Sequence, residues 1–206
     1  MQGYVNAIQA RLHAALAVSM LTVVGPAGAA SDTSSVSAAS SQKYAWQRFE
    51  MEIPSSWKME SEADDNGTRI LRLAATTAKP RLVLVLTLAP SMPQQDAKYL
   101  QVPGLAGVAL SYPAVAQAAG NKDDAMLTLS EVQLGIGPAA AAQLIIPSKD
   151  RKNFVSAHSF SKMKDGLLLA GFLLTFGQPG GINEDPTYHR AIAEAYAMLR
   201  TIQISK

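Results

Sequence analysis

Residues 166–176 read GLLLAGFLLTF, with Thr175 the one polar side chain in the run. Successive side chains of a strand point to opposite faces, so a stretch apolar at every position belongs to a strand covered on both sides. Residues 81–89, RLVLVLTLA, have the same character. Around these two stretches the chain alternates polar and apolar with period two, the pattern of half-buried strands: RFEMEI at Arg48–Ile53, WKME at Trp57–Glu60 and FVSAHSFSKM at Phe154–Met163. Pro54-Ser55-Ser56 is a turn between the first two of these. Asp64-Asp65-Asn66-Gly67 is a hairpin turn before the returning strand Thr68–Ala74, and Lys164-Asp165-Gly166 turns Phe154–Met163 into the apolar run. Hairpins imply antiparallel pairing.

Two strands covered on both faces need a layer above the sheet and a layer below it, and helices are the elements available to supply them. Asp185 is a good N-cap with Pro186 in the first helical position, where its missing N–H costs nothing. Ile192, Ala195, Tyr196 and Leu199 then recur at i, i+3, i+4 and i+7 as one apolar stripe. This helix should end near Arg200, with Thr201–Ile204 as a short last strand. A second helical region is expected between Pro103 and Ala119, broken at Pro113. Glu131–Gly135 and Ala141–Ile146 are expected to pair about Gly137-Pro138. The fold class that follows is mixed α/β (α+β), an α/β/α sandwich with a mostly antiparallel central sheet.

The amino-terminal part has a different composition. One cation, Arg11, precedes the uncharged run LHAALAVSMLTVV at 12–24, and GPAGAA follows at 25–30. A basic start, an apolar core and an Ala-Gly-Ala site are the marks of a secretory signal peptide, read here as residues 1–29. Gly25-Pro26 stops the run well short of the ~20 apolar residues that a spanning helix needs. No cysteine follows the small residues, so an acylated-cysteine anchor is excluded on chemical grounds. Residues 30–42, rich in serine and alanine, read as a flexible tether. A single domain is expected over 43–206, periplasmic or secreted, with no stable membrane anchor after cleavage.

Composition narrows the function classes. Of 206 residues, 48% are apolar and 17% charged, enough apolar material for a core and too little charge for a disordered chain. The 18 basic and 16 acidic residues leave a net charge of +2, which offers no electrostatic footprint for nucleic acid. The absence of cysteine removes disulfides, thiolate metal sites and thiol nucleophiles.

Phe49, Ile53, Pro54 and Trp57 form an F-x-x-x-I-P-x-x-W opening. With the hairpin, the long apolar strand, the late apolar strand, the helix and the closing Thr-Ile-Gln-Ile that follow, it resembles the Mog1/PsbP-like domains over residues 44–206. The resemblance implies the same α/β/α sandwich and a protein-binding role. Mog1 binds a small GTPase and PsbP is an accessory subunit of photosystem II, with no shared catalytic apparatus, so no site residue is carried over.

Candidate chemistry is sparse. The two histidines beyond the leader are His158, on a strand face with Phe154, Ser156, Phe160 and Lys162, and His189, one turn before Ile192. They could meet if the last helix packs over that strand, with Glu184 or Asp185 as a third ligand, but no HxH or HExxH spacing supports zinc. Ser156 or Ser159 near His189 lacks an orienting acid, and no G-x-S-x-G is present. Gly135-Ile136-Gly137-Pro138-Ala139-Ala140 matches the dinucleotide fingerprint, but Pro147 cuts short the helix that motif requires. The acids Glu60, Glu62, Asp64 and Asp65 lack the spacing of a calcium loop. Trp46 and Trp57 are mostly core candidates, although an exposed tryptophan makes a good contact anchor.

The expectation is therefore an exported, non-enzymatic binding or accessory protein with an unnamed periplasmic protein partner. It has no catalytic residues, no metal and no cofactor, and Trp46, Trp57, His158 and His189 are its candidate binding residues. The rivals are a small-molecule or lipid binder using a pocket under residues 103–119, and a hydrolase using His158 or His189.

Overall fold

In the computed structural model, residues 41–65, 67–90, 105–177 and 185–205 are described. The expected signal peptide, most of the expected tether, Pro103 and Glu184 lie outside the described residues. In chain order the elements are β1 (Ser41–Trp46), β2 (Phe49–Pro54), β3 (Trp57–Asp65), β4 (Thr68–Ala75), β5 (Val83–Pro90), α1 (Leu105–Ala119), β6 (Met126–Leu134), β7 (Gly137–Pro147), β8 (Phe154–Lys164), β9 (Leu167–Gly177), α2 (Pro186–Arg200) and β10 (Gln203–Ile204).

The two apolar stretches become β5 and β9, paired antiparallel from Val83↔Leu174 to Pro90↔Leu167. They sit in the middle of a seven-stranded sheet ordered β3-β4-β5-β9-β8-β7-β6, in which every neighbouring pair is antiparallel. Leu84, Leu86 and Leu88 share one face with Leu167, Leu169 and Leu173; Val83, Val85, Leu168, Ala170 and Phe172 occupy the other, and all are buried. Each such leucine contributes roughly 1.5–3 kcal/mol by leaving water, so a layer is strongly favoured on either side.

The layers are unlike. α1 packs over β7, β8 and β9 on one face. On the other, α2 and a small sheet ordered β1-β2-β10 share a core of Phe49, Met51, Ile53, Tyr188, Ala191, Ala195, Met198, Leu199 and Ile202 with the leucines of β5 and β9. The expected sandwich with an antiparallel centre is the architecture found, and the small sheet is an addition to it.

Several local expectations are corrected. The strand expected at Arg48–Ile53 is found as β2, Phe49–Pro54, but a further strand precedes it: the chain folds back at Gln47, whose φ is 51°, so that Trp46 pairs with Phe49. β1 starts at Ser41, two residues inside the expected tether, because β2 offers it a full register from Ser41↔Pro54 onward. α1 is not broken at Pro113. The carbonyl that loses its donor belongs to the exposed Ala109 and faces water, while Leu110, Ala114 and Val115 are buried. The buried stripe of α2 is Tyr188, Ala191, Ala195, Met198 and Leu199. Ile192 and Tyr196 are half-buried at its margin, and β2 packs against the helix. The β6–β7 turn lies at Gly135-Ile136, and Pro138 belongs to β7, ahead of the first β7–β8 pair, Ala140↔Ser161.

α1 approaches the sheet very closely. A Cβ at Gly107 would lie 2.6 Å from the backbone N and O of Phe160 on β8, and Ser111, one turn on, shares a 2.7 Å hydrogen bond with Ser159. Gly107→Ala is expected to cost about 1–3 kcal/mol through the forced shift, read as a lower urea midpoint with an unchanged slope. Ala109→Ser, on the exposed side of the same helix, should leave the midpoint within about 0.5 kcal/mol.

Candidate functional site

The two histidines are not brought together. His158 projects from β8 toward α2, where its Nδ1 shares a short hydrogen bond with the Tyr196 hydroxyl. His189 is exposed in the first turns of α2 and meets Tyr188 edge-on at 6.2 Å between ring centres. Seven residues, about 10 Å of helix rise, separate His189 from Tyr196. Burial lowers the pKa of His158 and pushes that of Tyr196 up to about 12, so the pair is held neutral. Neither group is set up as an acid or base near neutral pH.

Of the other conjectured metal ligands, the described one, Asp185, is committed elsewhere. The Asp185 carboxylate accepts from the Thr187 N–H at 2.8 Å and the Thr187 hydroxyl at 2.6 Å, capping α2. Those bonds lower its pKa. Among the described residues no group of three or more His, Asp or Glu side chains could hold a metal ion. The serines are also occupied. Ser156 bonds Thr175 at 2.6 Å on the α2 side of β8, while Ser159 bonds Ser111 on the α1 side. Ser159 therefore faces away from His189, across the sheet.

The acidic group on β3 is an ion-pair ladder with the neighbouring strand. Glu60 meets Arg72 at 3.0 Å and also Arg81, and Glu62 meets Arg69, which reaches Asp64 at 3.5 Å. Tyr44 joins this ladder, donating to Glu62 at 2.5 Å and accepting from Arg69 at 3.2 Å. Gly135, in the conjectured dinucleotide motif, has another reason to be glycine. Its N–H donates to the Leu199 carbonyl at 3.1 Å, and a Cβ there would strike the carbonyl oxygens of Arg200 and Ile202. The glycine lets a hairpin tip dock on the end of α2.

The two candidate tryptophans differ in exposure, and neither stands fully open to solvent. Trp57 is 4% exposed, and its indole N–H has no partner among the described residues. Trp46 is half-buried under the Arg69 guanidinium, 5.8 Å from its ring centre. The pocket expected beneath the 103–119 segment meets the close approach at Gly107 and the buried Ser111 and Val115. An open depression of about 510 Å³ lies instead at the end of α1, lined by Ala116, Gly120, Asn121, Lys122, Asp123 and Lys149.

The feature that sequence reasoning missed is β6. It is the last strand of the large sheet among the described residues, and α1 stops short of it. Met126, Leu127 and Leu129 are 57, 48 and 65% exposed, and Glu131 is its one charged residue. Leu127 and Leu129 lie beside Leu144 and Ala142 of β7, on the α1 face. α1 itself carries no charged residue and exposes Tyr112. This end of the sheet is an uncharged, partly apolar surface.

No family model matches the chain, and no curated protein does. Among solved structures it is similar to a protein of Bacteroides thetaiotaomicron VPI-5482, at a TM-score of 0.43 and 13% identity over 77% of this chain. The chain spans 46% of that protein's length. It is also similar to LpqN, a protein involved in cell envelope biogenesis of Mycobacterium tuberculosis, at a TM-score of 0.41 and 13% identity, covering 83% of this chain and 87% of that one. No helix among the described residues is long and apolar enough to cross a membrane.

The His158 environment has a measurable consequence. In the unfolded chain the imidazole takes a proton near 6.5, whereas burial keeps the folded one neutral to lower pH. Below 6.5 the unfolded state thus binds more protons, and stability falls as pH drops until the folded value is passed. His158→Gln keeps a partner for Tyr196 and removes this dependence. Urea unfolding from pH 7 to 5.5 should show wild type losing more stability than the variant, and equal losses would mean that His158 titrates alike in both states.

Proposed function

We propose that this is an exported, non-enzymatic accessory protein of the bacterial envelope that works through protein–protein contacts, as a Mog1/PsbP-like domain. The observation that carries the reading is the β6 surface, where Met126, Leu127 and Leu129 face solvent on a strand with a single charge. Monomeric proteins blunt such edges, so one left apolar marks a docking surface. The leader-like residues 1–29 support export to the periplasm or beyond. The neutral His158–Tyr196 pair and the engaged serines speak against acid–base or nucleophilic catalysis. The close seat of α1 on β8 speaks against a lipid pocket under that helix.

Placing a photo-crosslinking residue at Leu129 in the exported protein should capture protein in living cells, whereas one at Lys58 on the opposite edge of the sheet should not. Cell fractionation should find the chain outside the cytoplasm, shortened by about 29 residues. Turnover of ester, peptide or phosphoester substrates by purified protein, abolished by His158→Ala or His189→Ala, would overturn the reading in favour of a hydrolase.

A further inference from the structure

The β6 edge is complementary to itself. Its hydrogen-bonding groups can be assigned from the hairpin geometry. β6 and β7 are joined by the two-residue turn Gly135-Ile136, flanked by the pair Leu134↔Gly137. That flanking pair is the hydrogen-bonded kind, and bonded and non-bonded pairs then alternate along the ladder. Even-numbered residues of β6 therefore turn their N–H and C=O toward β7, and Leu127, Leu129, Glu131 and Gln133 turn theirs outward. Two side-chain contacts fit this alternation. The Pro147 carbonyl points to the β6 side, where Asn121 donates to it at 3.1 Å, and the Pro138 carbonyl points to the β8 side, where Lys162 donates to it.

The other end of the sheet is guarded. β3 carries Lys58, Glu60, Glu62, Asp64 and Asp65, and its pairing register shifts between Met59 and Ser61. Charges and an irregular register are devices that stop edge-to-edge pairing. β6 pairs with β7 in unbroken register from Met126 to Leu134 and carries one carboxylate.

We propose that β6 pairs antiparallel with β6 of a second copy about a two-fold axis at Thr128, joining two seven-stranded sheets into one. A two-fold interface must be complementary to itself, and this register meets that demand. Leu127 of each copy faces Leu129 of the other in the bonded position, so both exposed leucines are covered on the α1 face. Met126 faces Ser130, and the two Thr128 side chains meet on the axis. Each Glu131 lies three residues from the axis, so the two carboxylates are about 20 Å apart, beyond the ~8–10 Å screening length of ordinary buffers. A register centred on Leu127 or Leu129 instead would leave a leucine opposite a carboxylate or an unpaired residue. The interface is a strand edge, smaller than the ~1,600 Å² of a standard complex, so the dimer forms at micromolar concentrations. This inference rests on the reading of β6 as a docking surface and names its occupant.

Sedimentation of the purified protein across a concentration series should show a reversible monomer–dimer equilibrium. Leu129→Lys, at a site exposed in the single chain, should leave the thermal melt unmoved at concentrations where both proteins are monomeric and should raise the dissociation constant about a hundredfold or more. The chain has no cysteine, so Thr128→Cys supplies one thiol per copy. Across the axis the two Cα atoms of this non-bonded pair lie about 4.5 Å apart, within disulfide reach. Mild oxidation should convert Thr128→Cys to a covalent dimer and leave Lys58→Cys monomeric. A protein that stays monomeric at hundreds of micromolar, or a dimer that survives Leu129→Lys, would overturn the self-pairing. Capture of an unrelated protein at Leu129 in cells, with none of a second copy, would also overturn it but keep the docking reading. No capture at all at Leu129 would end both.

Discussion

The pairing of β5 with β9 is the constraint from which the rest of the structure follows. β5 closes an amino-terminal meander, β3-β4-β5, and β9 closes a second one, β6-β7-β8-β9. Joining them edge to edge places the most apolar strands of the chain at the centre, buried on both faces. Every later element answers the need for cover. α1 follows the first meander and takes one face, while α2 follows the second and takes the other, with β1, β2 and β10 extending its layer. Removing either layer would leave a row of leucines or of Val83, Val85 and Phe172 in water, so neither half of the sandwich is optional.

Features set by local chemistry were legible in the sequence. The two-sided strands, the 64–67 and 164–166 hairpins and the Asp185-Pro186 start of α2 are each specified by neighbouring residues, and the structure contains all of them. The β1–β2 hairpin was not legible, because its turn uses Gln47 at positive φ rather than glycine, asparagine or aspartate. α1 was only half legible. A helix that must approach a sheet closely enough for Gly107 and Ser111 to touch β8 is built of small residues on both sides, and so lacks the contrast between faces that reveals an amphipathic helix.

The candidate site was less legible for a related reason. Placing His158 on a face that meets the last helix was within reach of strand periodicity. Its partner was not, since which residue of α2 meets the strand depends on how the helix packs, and the helix presents Tyr196 rather than His189. Gly135 illustrates a false signal with a physical origin: the glycines that suit a phosphate also suit a hairpin tip pressed against the carbonyl end of a helix. The exposure of Leu127 and Leu129 depends on β6 being the last strand of the sheet among the described residues and on α1 stopping at β7. Both are facts of strand order, and no local pattern encodes them.

The distribution of charge follows from the same architecture. A sheet covered on both sides leaves few positions for charged residues, in keeping with a chain of which 17% is charged. Of these few, several gather on β3 and β4 and at the approach to β5, as the Glu60–Arg72–Arg81 and Glu62–Arg69–Asp64 clusters. Ion pairs near the surface are worth little to stability, about 0–1 kcal/mol each when exposed, and the partial burial of Arg72 and Glu60 adds a desolvation cost, so a second role is worth seeking. Guarding an edge is one, because a strand whose outward side chains are already paired with charges is a poor template for another strand. With that edge closed by charge and β6 left almost without it, the sheet can grow in one direction only.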